Sequence, residues 1–161
     1  MLDHTQCSGC GLCVSQCKTN AIKMKKMEDG FFYPIINQTI CVRCWECIEI
    51  CPFKEEKRDK IAIHQTLVSY LFKHDEDVRK ESASGGFFTL LSDYVLEKKG
   101  VVYGAIYDEL YHVVHIRTEQ KAIRDRMRGS KYSQSNISPQ IYELLRKDVE
   151  SERIVLFTGT P

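Results

Sequence analysis

The chain has 161 residues, 43% hydrophobic and 28% charged, with a formal net charge of +1. This composition is that of an ordinary soluble globular protein, and its interspersed charges exclude a face-long basic surface for nucleic acid. No N-terminal charged segment leads into an apolar run, and nowhere do about 18 uninterrupted apolar residues occur, so the expectation is a cytoplasmic protein with no membrane span.

All eight cysteines lie between Cys7 and Cys51, in two copies of one pattern. The first is Cys7-x2-Cys10-x2-Cys13-x3-Cys17 and the second Cys41-x2-Cys44-x2-Cys47-x3-Cys51, followed by Pro52. In a reducing compartment such thiols are available to metals. In this arrangement three cysteines of a run wrap one 4Fe-4S cubane and the fourth ligates the other cluster. Cys7, Cys10, Cys13 and Cys51 are then expected on one cluster, and Cys41, Cys44, Cys47 and Cys17 on the other. Thiolate sulfur suits iron in such clusters because it is a soft donor. Structural zinc would need only two pairs of cysteines, leaving half of each run surplus. A disulfide scaffold fits the number but not the missing export signal.

Between the runs, Ala21 to Lys25 alternates as a strand, Glu28-Asp29-Gly30 turns, and Phe31 to Pro34 returns, which predicts a hairpin. So short a domain buries little surface, so the clusters are expected to supply much of its stability. These features resemble the bacterial two-cluster ferredoxins from Cys7 to Pro52. Those proteins carry proline after each fourth cysteine, whereas here Lys18 follows Cys17. The departure reads as drift at a surface position; the alternative is that the cation stabilises the reduced form of the cluster ligated by Cys17 and raises its potential.

The run Lys54-Glu55-Glu56-Lys57-Arg58-Asp59-Lys60 has no apolar face and reads as a boundary. It places the ferredoxin domain at residues 1–60, a linker at 61–74 and a second domain at 75–161. Ile61 to Tyr70 reads as an extended connector, and Asp75-Glu76-Asp77 as the start of a short helix. Phe87, Leu90, Leu91, Tyr94 and Val95 recur at helical spacing up to Gly100. Val101 to Tyr107 and Tyr111 to Arg117 read as paired strands. Gln120 to Arg126 and Gln140 to Val149 read as helices, and Ile154 to Phe157 as a buried strand. His112 and His115 are expected at the surface. The fold class is therefore α+β: a two-cluster ferredoxin domain followed by an α/β domain that breaks off after its last strand and is expected to be incomplete.

Ser84, Gly85 and Gly86 open a helix, where backbone N–H groups could receive a phosphate or a serine could cap the helix. Arg128, Gly129, Ser130, Lys131 and Tyr132 combine two cations, a turn and an aromatic ring, which suits a pyrophosphate or a flavin edge. Thr158, Gly159 and Thr160 follow a strand at the carboxyl end of the sheet, where such sheets bind ligands. In this order, behind a two-cluster domain, the three signatures Ser82-Ala83-Ser84-Gly85-Gly86-Phe87, Arg128-Gly129-Ser130-Lys131-Tyr132 and Leu156-Phe157-Thr158-Gly159-Thr160-Pro161 resemble the coenzyme F-420 hydrogenase/dehydrogenase beta subunit family. The resemblance implies an iron-sulfur flavoprotein oxidoreductase. In it a flavin, with FAD the candidate, exchanges two electrons with a deazaflavin or similar hydride carrier. The electrons then pass singly to the clusters and to a redox partner or other subunits. The alternative is a ferredoxin-like carrier whose second domain docks to a partner and binds no flavin.

Overall fold

The computed structural model describes residues 6–54 and 68–159. Within them the chain is α+β and forms two compact units, residues 6–54 with 136–142 and residues 68–135 with 143–159. Most of the charge run, residues 61–67 of the connector, and Thr160 lie outside the described residues. Among the described residues no helix is long and apolar enough to cross a membrane.

In the first unit each cysteine run folds into a tight loop and a short helix. Gly11, at φ 77°, precedes α1 (Leu12–Gln16), and Trp45, at φ 65°, precedes α2 (Glu46–Glu49). Both N-cap residues sit between the second and third cysteines of their runs. One position before the second cysteine, Gly9 and Arg43 are likewise left-handed, at φ 67° and 54°. The duplicated spacing thus imposes the same backbone twice. Glycine takes that conformation freely, whereas an L-residue loses about 1–2 kcal/mol in it. The second run accepts that cost at both Arg43 and Trp45.

The expected hairpin is present. β1 (Ile22–Lys26) pairs antiparallel with β2 (Phe32–Ile36), Ile22 opposite Ile36 and Lys26 opposite Phe32. Asp29 closes the turn by accepting from the Phe31 amide at 2.9 Å and from the Tyr33 hydroxyl at 3.1 Å. α1 packs on α2 and on β1. The apolar core of this unit is small: Ala21, Ile22 and Ile141 are its buried hydrophobic residues among those described.

The second unit is built on a three-stranded mixed sheet. β3 (Val101–Tyr107) is central, with β4 (Val113–Thr118) antiparallel on one side and β5 (Val155–Phe157) parallel on the other. Its helices are α3 (Glu76–Lys80), α4 (Phe87–Glu97), α5 (Lys121–Asp125) and α6 (Pro139–Glu150), the last assigned to this unit from Glu143 onward. Asp75 caps α3 by accepting from the Val78 amide at 3.3 Å, which explains the acidic start read from the sequence. Val95, Val102, Ile106 and Met127 form the core, flanked by Phe88, Leu96, Val114, Ile116 and Leu156. Each fully buried aliphatic side chain of this kind contributes about 1.5–3 kcal/mol.

Two expectations need correction. Ile154 to Phe157 reads as a buried strand, yet β5 is a half-exposed edge strand of the described sheet. In α4 the stripe Phe87, Leu90, Leu91 and Tyr94 points outward, and the helix instead buries Thr89, Ser92 and Val95. The reason is a buried cation. The Arg124 guanidinium donates to the Thr89 carbonyl at 3.2 Å, to the Ser92 hydroxyl, and to Asp93 and Asp125 at 2.8 Å each. A buried guanidinium needs all of its donors satisfied, so it selects the face of α4 that carries acceptors.

Candidate iron-sulfur site

All eight cysteines are free thiols, half-buried except for the exposed Cys44. Around the first run, the Cys7 sulfur accepts from the Gly9 amide at 3.4 Å. Burial chiefly pushes the Cys7 thiol up, with a smaller rise from the neighbouring Cys10 and Cys51. Burial also pushes the Cys13 thiol up to about 12, with Cys10, Cys7 and Cys47 adding to the rise.

Around the second run, a cavity of about 730 Å³ is lined by Cys17, Cys41, Cys44 and Cys47 together with Ile22, Pro34, Ile36 and Ile48. The hairpin supplies the apolar floor, and the two helices deliver thiols from both runs to one space. The Cys17 sulfur accepts from the Ala21 amide at 3.2 Å. Burial pushes the Cys17 thiol up, but hydrogen bonds from Thr19, Ala21 and Ile22 outweigh it and leave the thiol below its usual value. Burial pushes the Cys47 thiol up, and Cys44 and Cys17 add to that. An apolar cradle with four thiols fits a 4Fe-4S cluster, whose irons each take one thiolate and which loads with release of the thiol protons. Among the described residues no three His, Cys, Asp or Glu side chains converge tightly enough for a single ion. A cubane asks for wider spacing, because its ligands sit on separate corners.

Lys18 lines the same cavity, and its charge there is paired. Its ammonium lies 2.7 Å from Glu46, whose other carboxylate oxygen accepts from Gln16 at 3.3 Å. The Lys18 side chain is 75% exposed, so the local charge is a solvated ion pair close to neutral.

A segment remote in sequence joins the first run. The Tyr142 hydroxyl donates to the Cys10 carbonyl at 2.7 Å, and the Ile137 carbonyl passes 3.5 Å from where a Cβ on Gly11 would lie. Nothing in the local pattern of Gln140 to Val149 distinguishes Tyr142 from any other helical residue, so the sequence offers no signal for this contact.

The three signatures of the second unit have mostly internal roles. Gly86, at φ 84°, is the N-cap of α4 and makes no side-chain cap; a Cβ there would meet the His74 Cβ at 2.9 Å. A Cβ on Gly85 would meet the Phe72 carbonyl at 2.6 Å. Ser82 donates to the Val78 carbonyl at 2.7 Å, and Ser84 is exposed, so neither serine caps the helix. Arg128 pairs with Asp125 at 2.9 Å and donates to Thr89 at 3.1 Å. Lys131 donates to the carbonyls of Arg126, Arg128 and Gly129 at 3.1, 2.8 and 3.2 Å. Gly129 and Ser130 are exposed, and Tyr132 is 95% exposed.

At the end of β5, Thr158 donates from its amide and its hydroxyl to the Tyr103 carbonyl, at 2.9 and 3.0 Å. Gly159 lies against the His115 ring, 2.9 Å from Nε2 to a Cβ built on it. His115, expected at the surface, is buried. It stacks on Phe157, and its nitrogens meet Ser135 Oγ at 2.6 Å and the Thr158 carbonyl at 2.9 Å. Burial holds its imidazole below the usual histidine range. His112 is at the surface, beside Asp108 at 3.3 Å.

Comparison with curated proteins returns no match. Residues 6–54 match the family model of the 4Fe-4S dicluster domain, a span that takes in both cysteine runs and the hairpin between them. The N-terminal part of this chain is a ferredoxin-like iron-sulfur domain, equipped for electron transfer through 4Fe-4S clusters.

Proposed function

We propose that the chain relays single electrons through two 4Fe-4S clusters as the N-terminal part of an iron-sulfur flavoprotein oxidoreductase. In this reading Cys7, Cys10, Cys13 and Cys51 hold one cluster, and Cys41, Cys44, Cys47 and Cys17 the other. One observation carries it: Cys17 lines the same cavity as the three leading cysteines of the second run. The clusters, when bound, supply one-electron redox chemistry, and the protein supplies sulfur ligands oriented by the Gly9 and Ala21 amides. The division into a ferredoxin domain at 1–60, a linker at 61–74 and an α/β domain at 75–161 belongs to the same proposal.

The flavin half rests on the resemblance of the three signatures to those of coenzyme F-420 hydrogenase/dehydrogenase beta subunits, and it adds FAD, a hydride carrier and a redox partner protein. A second reading, a carrier with a docking domain and no flavin, is favoured by the internal engagement of Arg128 and Lys131. Anaerobic purification followed by iron analysis and visible spectroscopy separates them. About eight irons per chain with flavin absorbance supports the relay, and about eight irons without it supports the carrier. Two zinc ions in place of iron would overturn both.

A further inference from the structure

We propose that Tyr142 is a positioning residue that raises the potential of the cluster on the first cysteine run and so makes the two clusters inequivalent. The inference rests on the two-cluster reading above.

The two runs repeat one spacing and one backbone, so a cluster in each would be near-equivalent if the loops alone decided its surroundings. They do not. The second cysteine of the first run, Cys10, has its carbonyl held by the Tyr142 hydroxyl at 2.7 Å, while its counterpart Cys44 is exposed. Tyr142 is half-buried, and its hydroxyl sits against the ligand loop of the first run. The donated hydrogen bond cancels part of the negative end of the Cys10 carbonyl dipole and turns the positive end of the O–H toward the ligand loop. A reduced cluster carries one more negative charge than an oxidised one, and hydrogen bonding and local dipoles are among the influences that set its potential. The tyrosine therefore favours the reduced form on that run. Ile137, close above Gly11, belongs to the same covering segment.

The test is a redox titration of the full chain followed by electron paramagnetic resonance, comparing wild type with Tyr142→Phe. Cys17→Ser, which removes a ligand of the second cluster, identifies the surviving wave as that of the first run. Tyr142→Phe is expected to lower that wave, leave the other in place and keep about eight irons. A result in which neither wave moves, both move equally, or iron falls to about four would overturn the inference. With two waves present in wild type, an unmoved first-run wave rejects the role of Tyr142 alone. A wild type with one cluster rejects the two-cluster reading and this inference with it.

Discussion

The two units hold together by different means. Where the first unit buries the hydrophobic residues Ala21, Ile22 and Ile141 among those described, the second buries Val95, Val101, Val102, Tyr103, Ile106, Val113 and Met127. It also buries Arg124, and it ties Tyr103, Arg117 and Asp148 into one network. Tyr103 donates to Asp148 at 2.6 Å, and Arg117 forks onto both carboxylate oxygens at 2.6 and 2.8 Å. The first unit thus gathers eight thiols around a small buried core, whereas the sheet unit is closed by packing and satisfied charges. So little burial predicts that the cysteine-rich unit depends on its clusters for stability.

Removing iron gives the strongest test of that contrast. Anaerobic chelation of the full chain should abolish protection of the hairpin amides in hydrogen exchange and leave those of β3 protected. Equal loss in both units would break the comparison. Within the first unit, Cys17→Ser should cost the cluster of the second run and Cys51→Ser that of the first, each reducing iron from about eight to about four per chain. Mössbauer spectra in which each variant loses the cluster of its own run would refute crosswise ligation.

The second unit should break through its charges. Asp148→Ala leaves the buried Tyr103 hydroxyl without its acceptor and removes one partner of Arg117, for a loss of about 3 kcal/mol in denaturant melts of that unit. Its pH dependence follows. The Arg117 guanidinium holds the Asp148 carboxyl at about 2, below the ordinary aspartate value of 3.8. A depressed carboxylate contributes fully above its unfolded value, so that stability should be complete above about pH 4 and lost as pH falls through 2. Glu119, held at about 2 by Arg153 and Arg117, adds a loss in the same direction. A melt that is flat from pH 5 to 2 would contradict the network.

The smallest expected effect sharpens the comparison of the two runs. Trp45→Gly relieves a left-handed backbone at φ 65° and should stabilise the holoprotein by up to about 1 kcal/mol. Because Trp45 is 62% exposed, little packing is lost in exchange. Clear destabilisation would show that the indole contributes more through the cavity wall than its backbone costs.

Much of the first unit was legible because its information is local. The cysteine spacing, the turn at Asp29-Gly30 and the alternation of the hairpin are written within a few residues of one another, and the strands fall within one or two residues of their expected ends. In the second unit the order of elements was also readable, since each follows its own period. Orientation was not. The apolar stripe of α4 faces outward because Arg124, 35 residues beyond Thr89, claims the opposite face.

The sequence by itself determined that thiolates in two identical runs would gather as iron-sulfur ligands, because ligand type and spacing are covalent properties of the chain. The tertiary structure alone decided that Lys18 is neutralised by Glu46, that His115 is buried, and that Tyr142 reaches Cys10. Each depends on a neighbour that packing brings from elsewhere in the chain. Burial and hydrogen bonding, which set the properties of a polar group, belong to those neighbours and not to the residue.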